Sequence, residues 1–162
     1  MKTIELPYSE ITNIPKIVCH DKGNKSKSKI TFINSDKNWY FKTIVDGGVL
    51  DNTNGKKCDF KIEKYTGSET NAECIKAECE KNPCNGVQYF VELKGENIND
   101  AVPQLENAIK KLHNGVEGCL AFIIFSNKSP NSATANMQIV KSFKKRNKIN
   151  LIIQKTPYEY KL

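Results

Sequence analysis

Asp59, in the run CDFKI at 58–62, and the pair Glu92 and Lys94, in YFVELKG at 89–95, are the residues of this chain best placed to do chemistry together. Glu92 and Lys94 are two positions apart, so on a strand they share a face. Asp59 falls in a period-two alternation, with Cys58, Phe60 and Ile62 on one side and Asp59, Lys61 and Glu63 on the other. If these segments are neighbouring strands that pair in register, two carboxylates and one ammonium converge. A hard divalent cation such as Mg²⁺ wants oxygen ligands and normally takes only one or two carboxylates. It lowers the pKa of a bound water and neutralises charge on a phosphate. A lysine beside it can orient or deprotonate that water. Two carboxylates alone repel each other, and the cation and the lysine make their closeness tolerable. The competing reading is a solvated charge pair, because Glu-x-Lys is a common tripeptide. The matching alternation at Asp59, Gly95 directly after Lys94, and the amphipathic helix that follows favour the site.

The elements that must position these residues are readable from periodicity. Residues 1–29 are polar and broken by Pro7, Pro15 and Gly23, which predicts an irregular segment with at most one short helix over 8–14. Strands are predicted over 29–34, 39–45, 56–65, 87–95, 118–125 and 150–154. Residues 66–86 form a Cys-containing insertion whose middle, ETNAECIKAECEK, has helix-forming composition. A helix follows the ELK strand, with Asn99 or Asp100 as N-cap, Pro103 in its first turn, and Val102, Leu105, Ile109 and Leu112 at helical spacing. A second helix is predicted over 133–145. GCLAFIIF at 118–125 is apolar throughout, the mark of a strand buried on both faces in an α/β sheet. The whole, 1–162, reads as one domain.

The formal charge is +7, and lysine supplies all of the basic residues except Arg146. Two basic clusters stand out, one holding Lys25, Lys27 and Lys29, the other Lys141, Lys144, Lys145 and Arg146. Either can lie along a phosphate backbone, and either can simply keep the protein soluble. No apolar run is long enough to cross a bilayer, and the first residues lack the apolar core of a secretion signal, so a cytoplasmic protein without a membrane span is expected. Of six cysteines, Cys58 and Cys119 fall within apolar strand patterns and are expected to be reduced core residues. Cys74, Cys79 and Cys84 do not match zinc spacing, and exposed or locally packed thiols are the simpler expectation. Neither histidine accompanies a nucleophile signature, and no phosphate-binding glycine loop is present.

CDFKI and YFVELKG resemble the second and third motifs of the PD-(D/E)xK (restriction-endonuclease-like) phosphodiesterase superfamily, small stand-alone members in particular. The resemblance implies an α/β fold with an αβββαβ core, a central mixed sheet flanked by helices, and residues 40–125 follow that order apart from the first helix. It puts Asp59 at the metal-binding aspartate, Glu92 at the second carboxylate and Lys94 at the catalytic lysine, with the Leu93 carbonyl as a further ligand. Gln104 resembles a glutamine that some members add to the site; a solvated helix residue is the equal alternative. Mg²⁺ or Mn²⁺ is the implied cofactor, nucleic acid the implied partner with DNA ahead of RNA, and a homodimer the implied assembly. The chain departs from the pattern in three places. Glu10 is the one candidate for the glutamate of an N-terminal helix. Cys58 stands where a proline often precedes the aspartate. The loop between the motifs is long, with 32 residues between Asp59 and Glu92. Asp46, in VDGG, reads first as a turn residue and second as an extra ligand.

These readings lead to a metal-dependent phosphodiester hydrolase. The competitors are a catalytically silent binding module of the same fold and a thiol- or zinc-based interaction protein built on residues 74–84.

Overall fold

A computed structural model describes residues 8–21, 27–50, 55–127 and 131–162. The described residues form nine strands and three helices: β1 (Ser9–Thr12), β2 (Lys16–His20), β3 (Lys29–Ile33), β4 (Tyr40–Ile44), β5 (Phe60–Lys64), α1 (Ala72–Lys81), β6 (Gln88–Lys94), α2 (Ile98–Leu112), β7 (Leu120–Phe125), α3 (Ala133–Asn147), β8 (Asn150–Lys155) and β9 (Tyr158–Lys161). A mixed six-stranded sheet runs in the order β1-β4-β5-β6-β7-β8. Its first four strands are antiparallel, while β6, β7 and β8 are parallel. A second sheet has the order β2-β3-β9.

The central sheet divides two cores. On one face Phe90, Ala121 and Ile123 meet Ile98, Leu105 and Ala108 of α2 and Phe143 of α3. On the other, Ile62, Val91, Leu93 and Phe122 meet Ile17, Cys19, Ile30 and Phe32 of the small sheet. Phe32 and Phe122 meet edge to face with centroids 5.5 Å apart, and Tyr160 of β9 stands 5.1 Å from Phe122. The helix α1 covers Phe41 of β4 and Tyr65 through Ile75 and Cys79, in a smaller cluster.

The order of elements from residue 40 to residue 155 matches the expectation, and the α/β class with a central mixed sheet holds. Several expectations are corrected. Residues 8–20 are two strands rather than a short helix in an irregular segment, because Ile11 can pair on the edge of β4 and Ile17 and Cys19 bury into the second core. The helices α2 and α3 that flank the sheet share one face, and the small sheet, which was not expected, covers the other. The α2 N-cap is Asn97, whose side chain accepts from the Asp100 N–H, so Pro103 lies in the second turn. Cys79 and Cys84 are bonded as a disulfide, Cα–Cα 6.0 Å, while Cys74 is free and exposed. The closing strand β9 was not visible as a pattern, since YEYK alternates only over four residues.

Gly86 shows how tightly β6 is fed into the sheet. A Cβ there would stand 1.7 Å from the carbonyl oxygen of Lys64, on β5. Because that neighbour is backbone, the chain has to shift to admit it. Gly86→Ala should therefore lower stability by roughly 1–3 kcal/mol, measured as a lower denaturation midpoint. Met137→Ala, at a side chain 59% exposed, should leave the midpoint within about 0.5 kcal/mol of the parent.

Candidate metal and phosphate site

The site is built where β5 ends. Phe60 pairs with Val91 across the β5–β6 ladder, and the N–H of Asp59 also donates to the Val91 carbonyl, at 3.0 Å. Two residues against one is the count of a β-bulge, a device that re-aims side chains. The cores show the same break. Cys58 belongs to the helix-side core, Phe60 and Ile62 to the opposite one. The unbroken alternation expected for residues 56–65 therefore fails at Asp59, and the regular strand begins only at Phe60.

The freed Asp59 carboxylate turns across to the neighbouring strand. Its Oδ2 accepts from the Leu93 N–H at 2.7 Å, replacing the ladder bond that β5 no longer makes. In a strand a residue's N–H and C=O face the same neighbour, so the Leu93 carbonyl also faces the side where β5 has ended. The Asp59 carbonyl accepts from Val45 at 2.9 Å, which ties the Asp46 turn to the same place. Asp46 pairs with the buried Lys57 at 3.3 Å.

Glu92 is 1% exposed. Its Oε1 pairs with Lys94 Nζ at 2.9 Å, and its Oε2 is buried with no hydrogen-bond partner. Burial pushes the Glu92 carboxyl well above its usual range, the Asp59 charge pushes it further, and Lys94 opposes both. Asp59 is raised to about 6, chiefly by burial; the Leu93 N–H and Lys94 lower it while Asp21 and Asp46 raise it. Asp59 and Lys94 thus both bear on Glu92, and Lys94 bears on Asp59.

These residues fit a small hard cation. A buried carboxylate oxygen without a donor, beside a second carboxylate and a main-chain carbonyl, offers oxygen only and at low coordination from the protein, which suits Mg²⁺. Among the described residues no group of three or more His, Cys, Asp or Glu side chains is arranged to hold a metal ion. A two-carboxylate Mg²⁺ site does not require one.

The other predicted residues divide. Gln104 reaches from α2 to donate to the Lys57 carbonyl at 3.2 Å, so it braces the segment that leads into Asp59. Lys27 and Lys29 flank Ser28, whose hydroxyl donates to the Lys94 carbonyl at 2.5 Å, which brings this basic cluster to the site. Lys25 lies outside the described residues. Lys141, Lys144, Lys145 and Arg146 lie on α3, whose last turn returns to the start of β8, at the far end of the parallel strands from Glu92 and Lys94. Arg146 is paired there with Glu106 at 2.8 Å. Glu10 is on β1, not on a helix. Sequence reasoning passed over His20 and Asp21, which line the same cleft as Asp59 and Asp46. His20 is isolated in the sequence, and only the pairing of β2 with β3 brings it there.

Comparison with protein-family models, with curated proteins and with solved structures gave no significant match. Among the described residues no helix is long and apolar enough to cross a membrane.

The repulsion and burial at Asp59 set a pH dependence. The folded protein holds this proton up to about pH 6, and the unfolded chain releases it near 4. Across that window the folded state binds more protons, so stability falls as pH rises. In EDTA, Asp59→Asn should remove this slope and raise the melting temperature at pH 8. Thermal melts at pH 4.5, 6 and 8 check it; a lower melting temperature for Asp59→Asn at pH 8 would contradict it.

Proposed function

We propose that this chain is a metal-dependent phosphodiester hydrolase acting on nucleic acid. The single observation that carries the reading is the orphaned, buried Oε2 of Glu92, a carboxylate paired with Lys94 through its other oxygen and acted on by the Asp59 charge. Desolvating a carboxylate and leaving an oxygen unpaired is costly, and a fold that does so without a ligand gains nothing from it. In this reading Asp59, Glu92 and the Leu93 carbonyl hold Mg²⁺ or Mn²⁺. When bound, such an ion supplies Lewis acidity and a water of lowered pKa. Lys94, 22% exposed, can leave Glu92 and face the attacking water, orienting it toward phosphorus. The water oxygen bonds to phosphorus, the ester bond to the leaving oxygen breaks, the water's proton passes to solvent, and the leaving oxygen takes a proton from solvent to become a hydroxyl. Gln104 keeps the Asp59 segment in place through Lys57. Lys27 and Lys29, on either side of the Ser28 that bonds the Lys94 carbonyl, offset phosphate charge. The CDFKI and YFVELKG motifs support the same reading by their likeness to the PD-(D/E)xK superfamily.

One observation favours a second reading. The Glu92–Lys94 ion pair at 2.9 Å already offsets the buried charge without a cation. A catalytically silent nucleic-acid-binding module would use that pair as structure.

Purified protein with Mg²⁺ or Mn²⁺ should nick plasmid or degrade single-stranded DNA, and Asp59→Ala and Lys94→Ala should each slow this by about a hundredfold or more. Survival of both substrates, with Asp59→Ala indistinguishable from the parent, rejects the hydrolase. Salt-dependent binding without cleavage would then favour the silent module.

A further inference from the structure

Three clefts meet at His20. The one that holds Asp59 and Asp46 has a volume of about 190 Å³. A second, about 340 Å³, shares Ile44 and Phe60 with it and continues to Lys42 and Tyr8. A third, about 350 Å³, shares Asp21 with it and continues to Lys27 and Lys29. Since His20 lines all three, they form one trough along the rim between the two sheets. Carboxylates lie at its middle and lysines toward both ends. Lys42 Nζ stands 5.6 Å from the centre of the Phe60 ring. Tyr8, at the same end, is 44% exposed. Glu10 lies across from Lys42 in the β1–β4 register, so this end is amphoteric rather than uniformly basic. His20 Nδ1 is 3.1 Å from the main-chain oxygen of Asp21; with Nδ1 as donor, Nε2 is the nitrogen left for another partner.

This layout has a chemical meaning. A polyanion that reacts at a carboxylate-bound cation needs positive charge on the phosphates either side of the reacting one. An unpaired strand also needs a flat apolar surface for a base, because base stacking on an aromatic ring is its main sequence-independent contact besides the backbone. Tyr8 supplies such a ring next to Lys42. A duplex calls instead for a wide basic surface, and the densest basic run on this chain, on α3, is at the other end of the sheet.

We propose that the site takes an unpaired polynucleotide strand, laid along this trough with one phosphate at Asp59 and Glu92, its neighbours at Lys42 and at Lys27 and Lys29, and a base on Tyr8. The proposal rests on the phosphodiesterase reading for the identity of the central group. Binding is tested without catalysis on the Asp59→Asn, Glu92→Gln double variant in EDTA, where the carboxylate charge is removed and no cation is needed. Fluorescence anisotropy compares a labelled oligothymidylate of about 16 nucleotides with a blunt duplex of the same length. The single strand should bind about tenfold more tightly or better. Adding Lys42→Ala should reduce the slope of log affinity on log salt by about 0.7, and Lys42→Arg should restore it. Tyr8→Ala should weaken the single strand about fivefold or more, and the pair Lys141→Ala, Lys145→Ala should leave it unchanged. Equal or tighter binding of the duplex overturns the proposal. So does a loss of slope on changing α3 with none on changing Lys42. Because nothing is cut in this assay, a silent module can pass it and a nuclease specific for duplex fails it.

Discussion

One buried carboxylate organises this molecule. Glu92 stands at the centre of a sheet covered on both faces, with a single ammonium on one oxygen and nothing on the other. A lone ion so placed would be expelled or neutralised, and removing one member of a buried pair typically costs several kcal/mol. The pair with Lys94 makes Glu92 tolerable, and a two-residue spacing on β6 makes the pair possible. Around it the fold concentrates further negative charge: Asp59 and Asp46 both act on Glu92, and Asp21 acts on Asp59. The fold assembles more acid here than Lys94 on Glu92 and Lys57 on Asp46 offset.

The bulge at Asp59 is what converts two strands into a site. Had β5 kept its register, Asp59 would stand on the face shared with Lys61 and Glu63, a pair that forms its own buried link at 3.0 Å. The extra residue lets Cys58 enter the helix-side core while Phe60 enters the other. Asp59 is left between them, with its carboxylate on the Leu93 amide. The Cys58 thiol, fully buried and held well above its usual pKa by desolvation, then Glu92, then Asp59, stays neutral and acts as packing.

Much of this was legible in the sequence, for physical reasons that also mark its limits. The apolar run at 118–125, the helical spacing from Ile98 to Leu112 and the alternation at 87–95 are strong periodic signals, and each became the predicted element. The pairing of β5 with β6 followed from chain order. Short edge elements carry too few residues for a period to register, so β1, β2 and β9 have no strand signature and residues 8–14 carry the pattern of a short helix. The bulge was invisible because Asp59 fits a period-two pattern whether or not the backbone keeps it. The trough residues Tyr8, His20 and Lys42 come together only through the second sheet and the β1–β4 pairing, and no local pattern encodes that. The α3 cluster was conspicuous as charge, yet the topology takes it away from the carboxylates.

The small sheet has a consequence for how the chain is made. Its middle strand, β3, runs parallel to β9, and the rings of Phe32, Phe122 and Tyr160 join the small sheet to the central one. During synthesis β3 leaves the ribosome long before β9, and parallel pairing across that separation is slow to form. Until Tyr158–Lys161 emerges, Ile30 and Phe32 have only β2 beside them and one strand edge stays open. The nascent protein therefore carries an uncapped β-edge through most of its translation, an interval in which chaperone engagement or pairing between neighbouring chains on a polysome competes with correct closure.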